Sequence, residues 1–347
     1  MSRAAATRRR DNQSRVLEAL RRDGPASRAE LARALGLSKV TLSAIAQQAL
    51  QDGWLVERNA AGGGVGRRPT LLALAPALGV TGAVDIHADS LSVRISDLRG
   101  AVLAEATRDT PTAEAALVHR VQDELAAACQ ACGHEVSALR AVVFSLPAAI
   151  DVDGRLNAVG EPACLAGIDW VTALEAWLPD VAVALINNSN AAALAEHAEG
   201  AAAAWVNFAY VGIGQSGLGA GLVLDNMLYR GTRHGAGEIG ALVLGDDDYA
   251  LDGLAKSPRT AAFYRRLAQL VALMDHLLDL DGVVLHAADL DHATWTRELP
   301  RALADCAIRP VTLRVAALGE RGPLVGAARL AADTAWRHLE QRMAEAD

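Results

Sequence analysis

Apolar residues recur at helical spacing in the first quarter of the chain and then give way to short alternating runs. Over 15–22 the pattern predicts a helix that stops at Asp23-Gly24-Pro25. Ser27-Arg28-Ala29-Glu30 has the spacing of a capping box and predicts a second helix over 28–35. Gly36 ends it, because glycine tolerates the left-handed backbone that closes a helix. Ser38 caps a third helix over 39–52, and 53–57 and 70–74 read as short strands around a Gly/Ala loop over 59–66. Two helices, a tight turn and a two-stranded tail predict a winged helix-turn-helix over 1–76. Its register agrees at several positions at once. Ala32 falls where the two helices touch, Gly36 at the turn, and Leu42 and Ile45 on the buried face of the second helix. Leu31, Leu35, Leu37 and Leu50 complete a core.

Beyond Pro76 the texture changes. Three apolar runs, 78–86, 91–97 and 101–107, separated by turn residues, predict a β-meander. A helix over 112–132, strands over 141–150 and 181–186, and a helix over 189–199 follow. Strands over 205–214 and 217–224, a long helix over 258–280, strands over 283–285 and 311–315, and a terminal helix over 324–343 complete the pattern. The alternation predicts an α/β body over 77–347, in two halves with a cleft between them and without a detectable internal sequence repeat.

Composition fits this division. The chain has 347 residues, enough for two or three domains at about 150 residues each. With 52% hydrophobic residues and a mean hydropathy of +0.17 it reads as globular rather than disordered. Residues 1–70 hold 13 Arg and Lys against 6 Asp and Glu, whereas the whole chain holds 33 against 41. A basic head on an acidic body places nucleic acid at the head. No charge-free apolar run is long enough for a membrane span, and no apolar segment follows the basic N-terminus as in a secretory signal, so the cytoplasm is the expected compartment. Cys129 and Cys132 form a lone CxxC without the two further ligands a zinc site needs, which leaves them as small residues one helical turn apart.

Several segments together carry a resemblance. Asn12-Gln13-Ser14-Arg15-Val16-Leu17, Ser27-Arg28-Ala29-Glu30-Leu31-Ala32, Gly36-Leu37-Ser38-Lys39-Val40-Thr41-Leu42-Ser43 and Gly66-Arg67-Arg68-Pro69 stand in the head. In the body, Leu146-Pro147 precedes Asp151, 187–196 reads NNSNAAALAE, and Gly217-Leu218-Gly219-Ala220-Gly221 and Gly237-Glu238-Ile239-Gly240 follow. The chain resembles the repressor branch of the ROK family (repressors, open reading frames and kinases) over nearly its whole length. The resemblance implies an actin-like, RNase H-like, two-lobed sugar-kinase fold behind the winged helix.

The departures from the family pattern bear on function. ROK kinases open their first hairpin with Asp-x-Gly-x-Thr beside the ATP phosphates. This chain has Asp85-Ile86-His87-Ala88-Asp89, with a bulky side chain for the Gly and a negative charge for the Thr. The family's catalytic base, the Asp of NDxN, corresponds to Asn188, and an amide cannot take the sugar hydroxyl's proton. The zinc His corresponds to Ala241, and no Cys follows until Cys306. The expectation is therefore no catalysis, no zinc and no ATP. The acidic turn over 245–248 reads as a solvated loop. Asn187, Asn188 and Glu238 match positions that hold sugar hydroxyls in the family, although the pocket His and the zinc-loop Glu have no counterparts. Equally, Asn187 and Asn188 suit helix caps, with Glu238 in a structural hydrogen bond.

In the head, the second helix of the helix-turn-helix is expected to enter the major groove, exposing Lys39, Thr41, Ser43 and Gln47, with Ser38 and Thr41 also suited to phosphate. Arg67 and Arg68 on the wing suit a minor groove or backbone phosphates, and Arg8-Arg9-Arg10 reads as a mobile, non-specific arm. The expected whole is a transcriptional regulator, most simply a repressor. It would bind a pseudo-palindromic operator as a homodimer or tetramer and answer to a sugar-like effector. An active sugar kinase with a DNA-binding head and a ligand-independent scaffold are the alternatives.

Overall fold

The computed structural model describes residues 3–59, 70–157, 159–160, 162–214, 217–243, 251–287 and 292–345. The head comprises helices α1 (Arg3–Asp23), α2 (Arg28–Leu35) and α3 (Lys39–Gln51) and the antiparallel strands β1 (Leu55–Asn59) and β2 (Thr70–Leu74). Local signals set its boundaries. The Ser27 hydroxyl accepts from the Glu30 amide at 3.3 Å while the Glu30 carboxylate accepts from the Ser27 amide at 2.8 Å. Gly36 closes α2 at φ 66°, and its amide and that of Leu37 reach back to the carbonyls of the last turn. Ala32, Leu42 and Ile45 are buried where α2 crosses α3, together with Val16, Leu17 and Leu20 of α1. One expectation fails here: residues 8–10 are not a separate arm but lie within α1, whose alanine- and arginine-rich start favours helix.

The body contains two sheets of the same topology. In the first, β3 (Val80–Ile86), β4 (Ser90–Asp97) and β5 (Val102–Asp109) form an antiparallel meander, and β6 (Leu139–Leu146) and β9 (Ala182–Asn187) run parallel to β3, giving the order β5-β4-β3-β6-β9. Helix α4 (Glu114–Ala131) covers one face of this sheet through Leu117, Val121 and Leu125. The strand expected over 141–150 ends at Leu146, before Pro147; a small hairpin, β7 (Ala149–Ile150) and β8 (Leu156–Asn157), and helix α5 (Trp170–Trp177) precede β9. After helix α6 (Asn188–Glu199), the pattern repeats as β10 (Phe208–Gly214), β11 (Gly217–Leu224), β12 (Met227–Tyr229), then α7 (Asp252–Ala255), α8 (Ala261–Leu278), β13 (Gly282–Ala287), α9 (His292–Ala304) and β14 (Leu313–Val315), in the order β12-β11-β10-β13-β14. Each sheet has its own core, and α8 and α9 cover the second. The single long helix α10 (Gly322–Glu345) ends the described chain.

The two connecting helices exchange lobes. Helix α6 follows the last strand of the first sheet but buries Ala192 and Ala193 against Phe208, Tyr210 and Val223 of the second. Helix α10 follows the last strand of the second sheet but buries Leu324, Ala327, Ala328 and Ala331 against Ala83, Val143 and Ile186 of the first. They cross so closely that a Cβ at Gly326 would land on the Ala191 carbonyl. Helix α10 then runs on into the head, where Trp336, 5% exposed, joins the core of α1, α2 and α3.

Candidate nucleic-acid interface and interlobe cleft

Helix α3 presents its first turn outward. Ser38, Lys39, Thr41, Ser43 and Gln47 are all exposed. Ser38 is the N-cap: its hydroxyl accepts from the Thr41 amide at 3.0 Å and bonds the Thr41 hydroxyl at 2.8 Å. These two hydroxyls therefore serve the helix end first, and the remaining free amides of the first turn supply its positive end. Arg28 at the start of α2 pairs with Glu57 of β1 at 2.8 Å, pinning the strand pair to the helices. Arg67 and Arg68 lie outside the described residues. Sequence reasoning passed over Val40, which is 81% exposed beside Lys39; the helical spacing of the buried positions 42, 45, 46 and 49 was the signal that would have found it.

In the body, the segment 85–89, where the sequence departs from the family's Asp-x-Gly-x-Thr pattern, carries an internal ion pair. Residues 85 and 87 lie two apart at the end of β3, and His87 Nε2 stands 2.9 Å from Asp85 Oδ2. Asp85 is buried, and the ion pair raises the His87 imidazolium to about 9 against the opposing effect of burial, with Asp89 and Glu320 adding to the rise. Glu320 belongs to the turn Gly319–Arg321 that leads into α10. Across from it, His286 at the end of β13 is lowered, chiefly by burial.

Because the His87 value in the folded chain lies above the ordinary 6.5, folding takes up a proton between the two. The pair's contribution is full below pH 6.5 and is lost as pH rises through about 9. Its size is about 1–2 kcal/mol after solvent screening of a partly exposed imidazole. Denaturant unfolding from pH 6 to 10 is expected to show this loss in the native chain and not in His87→Gln. Parallel curves for the two proteins would refute it.

Asn187 is spent on the fold. Its Oδ1 accepts from the Ser189 and Asn190 amides at 2.9 and 3.2 Å as the N-cap of α6, and its Nδ2 donates to the Ala148 carbonyl at 3.1 Å. Asn188 Oδ1 accepts from the Ser189 amide at 2.8 Å. Ser189 in turn packs against Gly219 and Gly221, where a Cβ would meet its side chain or carbonyl. The glycines that resemble a phosphate motif thus also let α6 approach β11. Glu238 is exposed and follows Gly237, which has φ 89° and whose carbonyl accepts from the Ala220 amide of β11 at 3.0 Å. Ser189 and Gly237, the neighbours of Asn188 and Glu238 in the chain, thus both contact β11. Glu196, fully buried, accepts from the amides of Ala201, Ala317 and Leu318 at 2.6, 3.1 and 2.8 Å.

The acidic turn over 245–248 lies outside the described residues. Among the described residues no group of three or more His, Cys, Asp or Glu is placed to hold a metal ion, and no helix is long and apolar enough to cross a membrane. Cys129 is buried against the first sheet, its thiol pushed up to about 12 by burial, and Cys132 donates to its carbonyl.

Two sheets of one topology, joined by the exchanged helices α6 and α10, define a two-lobed actin-like body that carries a winged-helix head. Residues 81–251 match the ROK family and residues 8–64 the MarR family. The chain thus carries a ROK-family domain behind a MarR-type winged helix. It is 26% identical to the xylose repressor of Bacillus subtilis over 235 residues, 67% of this chain and 60% of that protein, so the match leaves two fifths of the relative uncovered. A solved ROK family transcriptional regulator, a homologue of the E. coli Mlc protein, superposes with TM-score 0.69 over 96% of this chain and 98% of its own at 15% identity. A ROK family glucokinase from Streptomyces griseus, solved with glucose and AMPPNP, superposes with TM-score 0.57 over 74% of this chain and 100% of its own at 21% identity. At these identities the structural matches establish the fold. The first covers head and body, and the second lacks a counterpart for about a quarter of the chain.

Proposed function

We propose that the chain is a DNA-binding transcriptional repressor whose ROK-type body does not phosphorylate sugar. The observation that carries this is the capped, outward-facing first turn of α3 in a winged-helix head. Lys39, Thr41, Ser43 and Gln47 then face DNA, with Ser38 and the helix end toward a phosphate. Arg67 and Arg68, next to the wing in sequence, supply basic charge for the backbone or minor groove. A two-fold operator requires a two-fold protein, so the active form is a homodimer or a dimer of dimers. The similarity to xylose repressors supports the same reading.

In the body, Asn188 stands where a general base is needed, and His87 on Asp85 fills the place where phosphate must approach backbone. This supports a cleft without ATP, zinc or turnover. The Asn188 amide and the exposed Glu238 carboxylate are groups suited to hydroxyls, so the effector is a small polyhydroxy compound. Asn187 supports that cleft from behind as the α6 cap. Lobe closure on such a ligand moves α10, and α10 carries the head.

The test is fluorescence anisotropy of the full-length chain on a duplex selected from a random library, against a scrambled duplex, across a salt series. A preference of about a thousandfold with a steep negative salt slope is expected. Equal weak binding to both duplexes refutes the reading. In a coupled assay with ATP and a hexose panel, neither the native chain nor Asn188→Asp is expected to turn over. Sustained turnover by the native chain would make it a kinase with a DNA-binding head instead.

A further inference from the structure

The base-reading surface of α3 is set by its burial. Leu42, Ile45, Ala46 and Ala49 are the buried positions and define the side of α3 that faces the head's core. At about 100° per residue, Val40 lies within about 10° of the opposite direction, Gln47 and Ala44 within about 30°, and Ser43 about 70° away. Lys39 and Thr41 fall about 90–110° to either side, where they flank a groove rather than face its floor. Ser38 and Thr41 are further committed to each other and to the helix cap. The ridge that a DNA groove meets first is therefore Val40, Ala44, Gln47 and Ser43, with three short side chains and one long amide.

Val40 has no structural reason to be valine. It is 81% exposed and takes no part in the head's core. A β-branched residue on an exposed helical turn also lowers helix propensity. Its two methyl groups can neither donate nor accept a hydrogen bond, so lowering this ridge into a groove desolvates them profitably only against an apolar surface. Among the base edges of the major groove, only thymine offers one, its 5-methyl group.

We propose that Val40 is a specificity-determining residue that reads the 5-methyl of a thymine in each operator half-site, with Ala44 leaving room for the close approach. This rests on the DNA-binding function proposed above. Lys39 and Thr41 then contact the flanking phosphates and set position rather than sequence.

The experiment uses the full-length chain and duplexes recovered from a random library. Each thymine of the half-site is replaced in turn by uracil, which removes only the methyl group. One such replacement is expected to weaken binding of the native chain about three- to fivefold, the size of one buried methyl contact. The same replacement should leave the affinity of Val40→Ala unchanged. Affinity for scrambled DNA and the salt slope should match in the two proteins, because no charge is removed. Thermal melting should confirm that the exposed substitution leaves the head folded. A recovered site with no methyl-sensitive thymine, or equal sensitivity in both proteins, overturns the assignment of Val40 and leaves the DNA-binding function intact. Failure to recover any preferred sequence overturns both.

Discussion

Replacing Trp336 by alanine is expected to cost about 3–5 kcal/mol, the range for emptying a buried tryptophan site, and to release the head from the body. Trp336 belongs by sequence to the last helix of the body, but its ring is buried among the core residues of α1, α2 and α3. Arg21 of α1 caps this contact: its guanidinium lies over the indole at 5.7 Å and pairs with Asp333, one turn earlier on α10, at 2.8 Å. The salt bridge is partly exposed and contributes little by itself. The indole carries the energy, and the arginine orients it. Without the ring, the α1–α10 seam retains polar contacts across an open groove lined by Glu18, Arg21, Arg337 and Glu340. The expected signature is a thermal transition that splits, with the small head melting first, and a larger radius of gyration in solution scattering. A single transition within about a degree of the native one, where even 1 kcal/mol would move it by roughly 2–4 °C, would show that the head is held some other way.

This contact also shows what the sequence made legible and what it did not. The head was readable because its signals are local: Ser27 and Glu30 close a capping box three residues apart, Gly36 supplies the left-handed position that ends α2, and Ser38 opens the next helix. Strand β2 and strand β11 fall where alternation and glycine punctuation placed them. Pairings between segments far apart left no such mark. The two sheets share one strand order although their sequences show no repeat, because topology constrains which strands are buried and not which apolar residues bury them. The lobe exchange of α6 and α10 depends on small residues, Ala191 and Gly326, that read as ordinary members of an alanine-rich chain. The candidate site in the body was half legible. His87 read as a bulky residue where the family has glycine, and period-two geometry puts Asp85 on the same face of β3, but burial of the carboxylate is what turns the two into a pair. Asn187 carried both a ligand and a capping interpretation; the structure places its side chain on the cap and on the Ala148 carbonyl. Val40 went unread because an exposed valine is unremarkable until the buried face of its helix is known.

Glu196→Ala is expected to destabilise the body by about 3–5 kcal/mol, since it strips the acceptor from three backbone amides at once, each costing about 1–3 kcal/mol if left buried and unmade. The carboxylate is fully buried near the C-terminal end of α6. One oxygen accepts from Ala201, in the turn that leaves the helix, and from Ala317; the other accepts from Leu318, just before the turn that opens α10. It therefore ties together the ends of the two helices that exchange lobes. Water entering the vacated site offsets part of the loss, which is why the expected total is below the sum of three orphaned amides. Glu196→Gln retains one carbonyl acceptor but turns an NH2 toward a backbone donor, so it should fall between the native chain and Glu196→Ala. The Ala201, Ala317 and Leu318 amides should exchange with solvent faster in both variants, while amides of α1, α2 and α3 keep their native protection. If Glu196→Ala melts within about 1 kcal/mol of the native chain, or if faster exchange is spread evenly over head and body, the carboxylate is not the clamp between α6 and α10. The two helices would then be held together by their small-residue crossing, where Gly326 meets Ala191 and Gly322 meets Ala192.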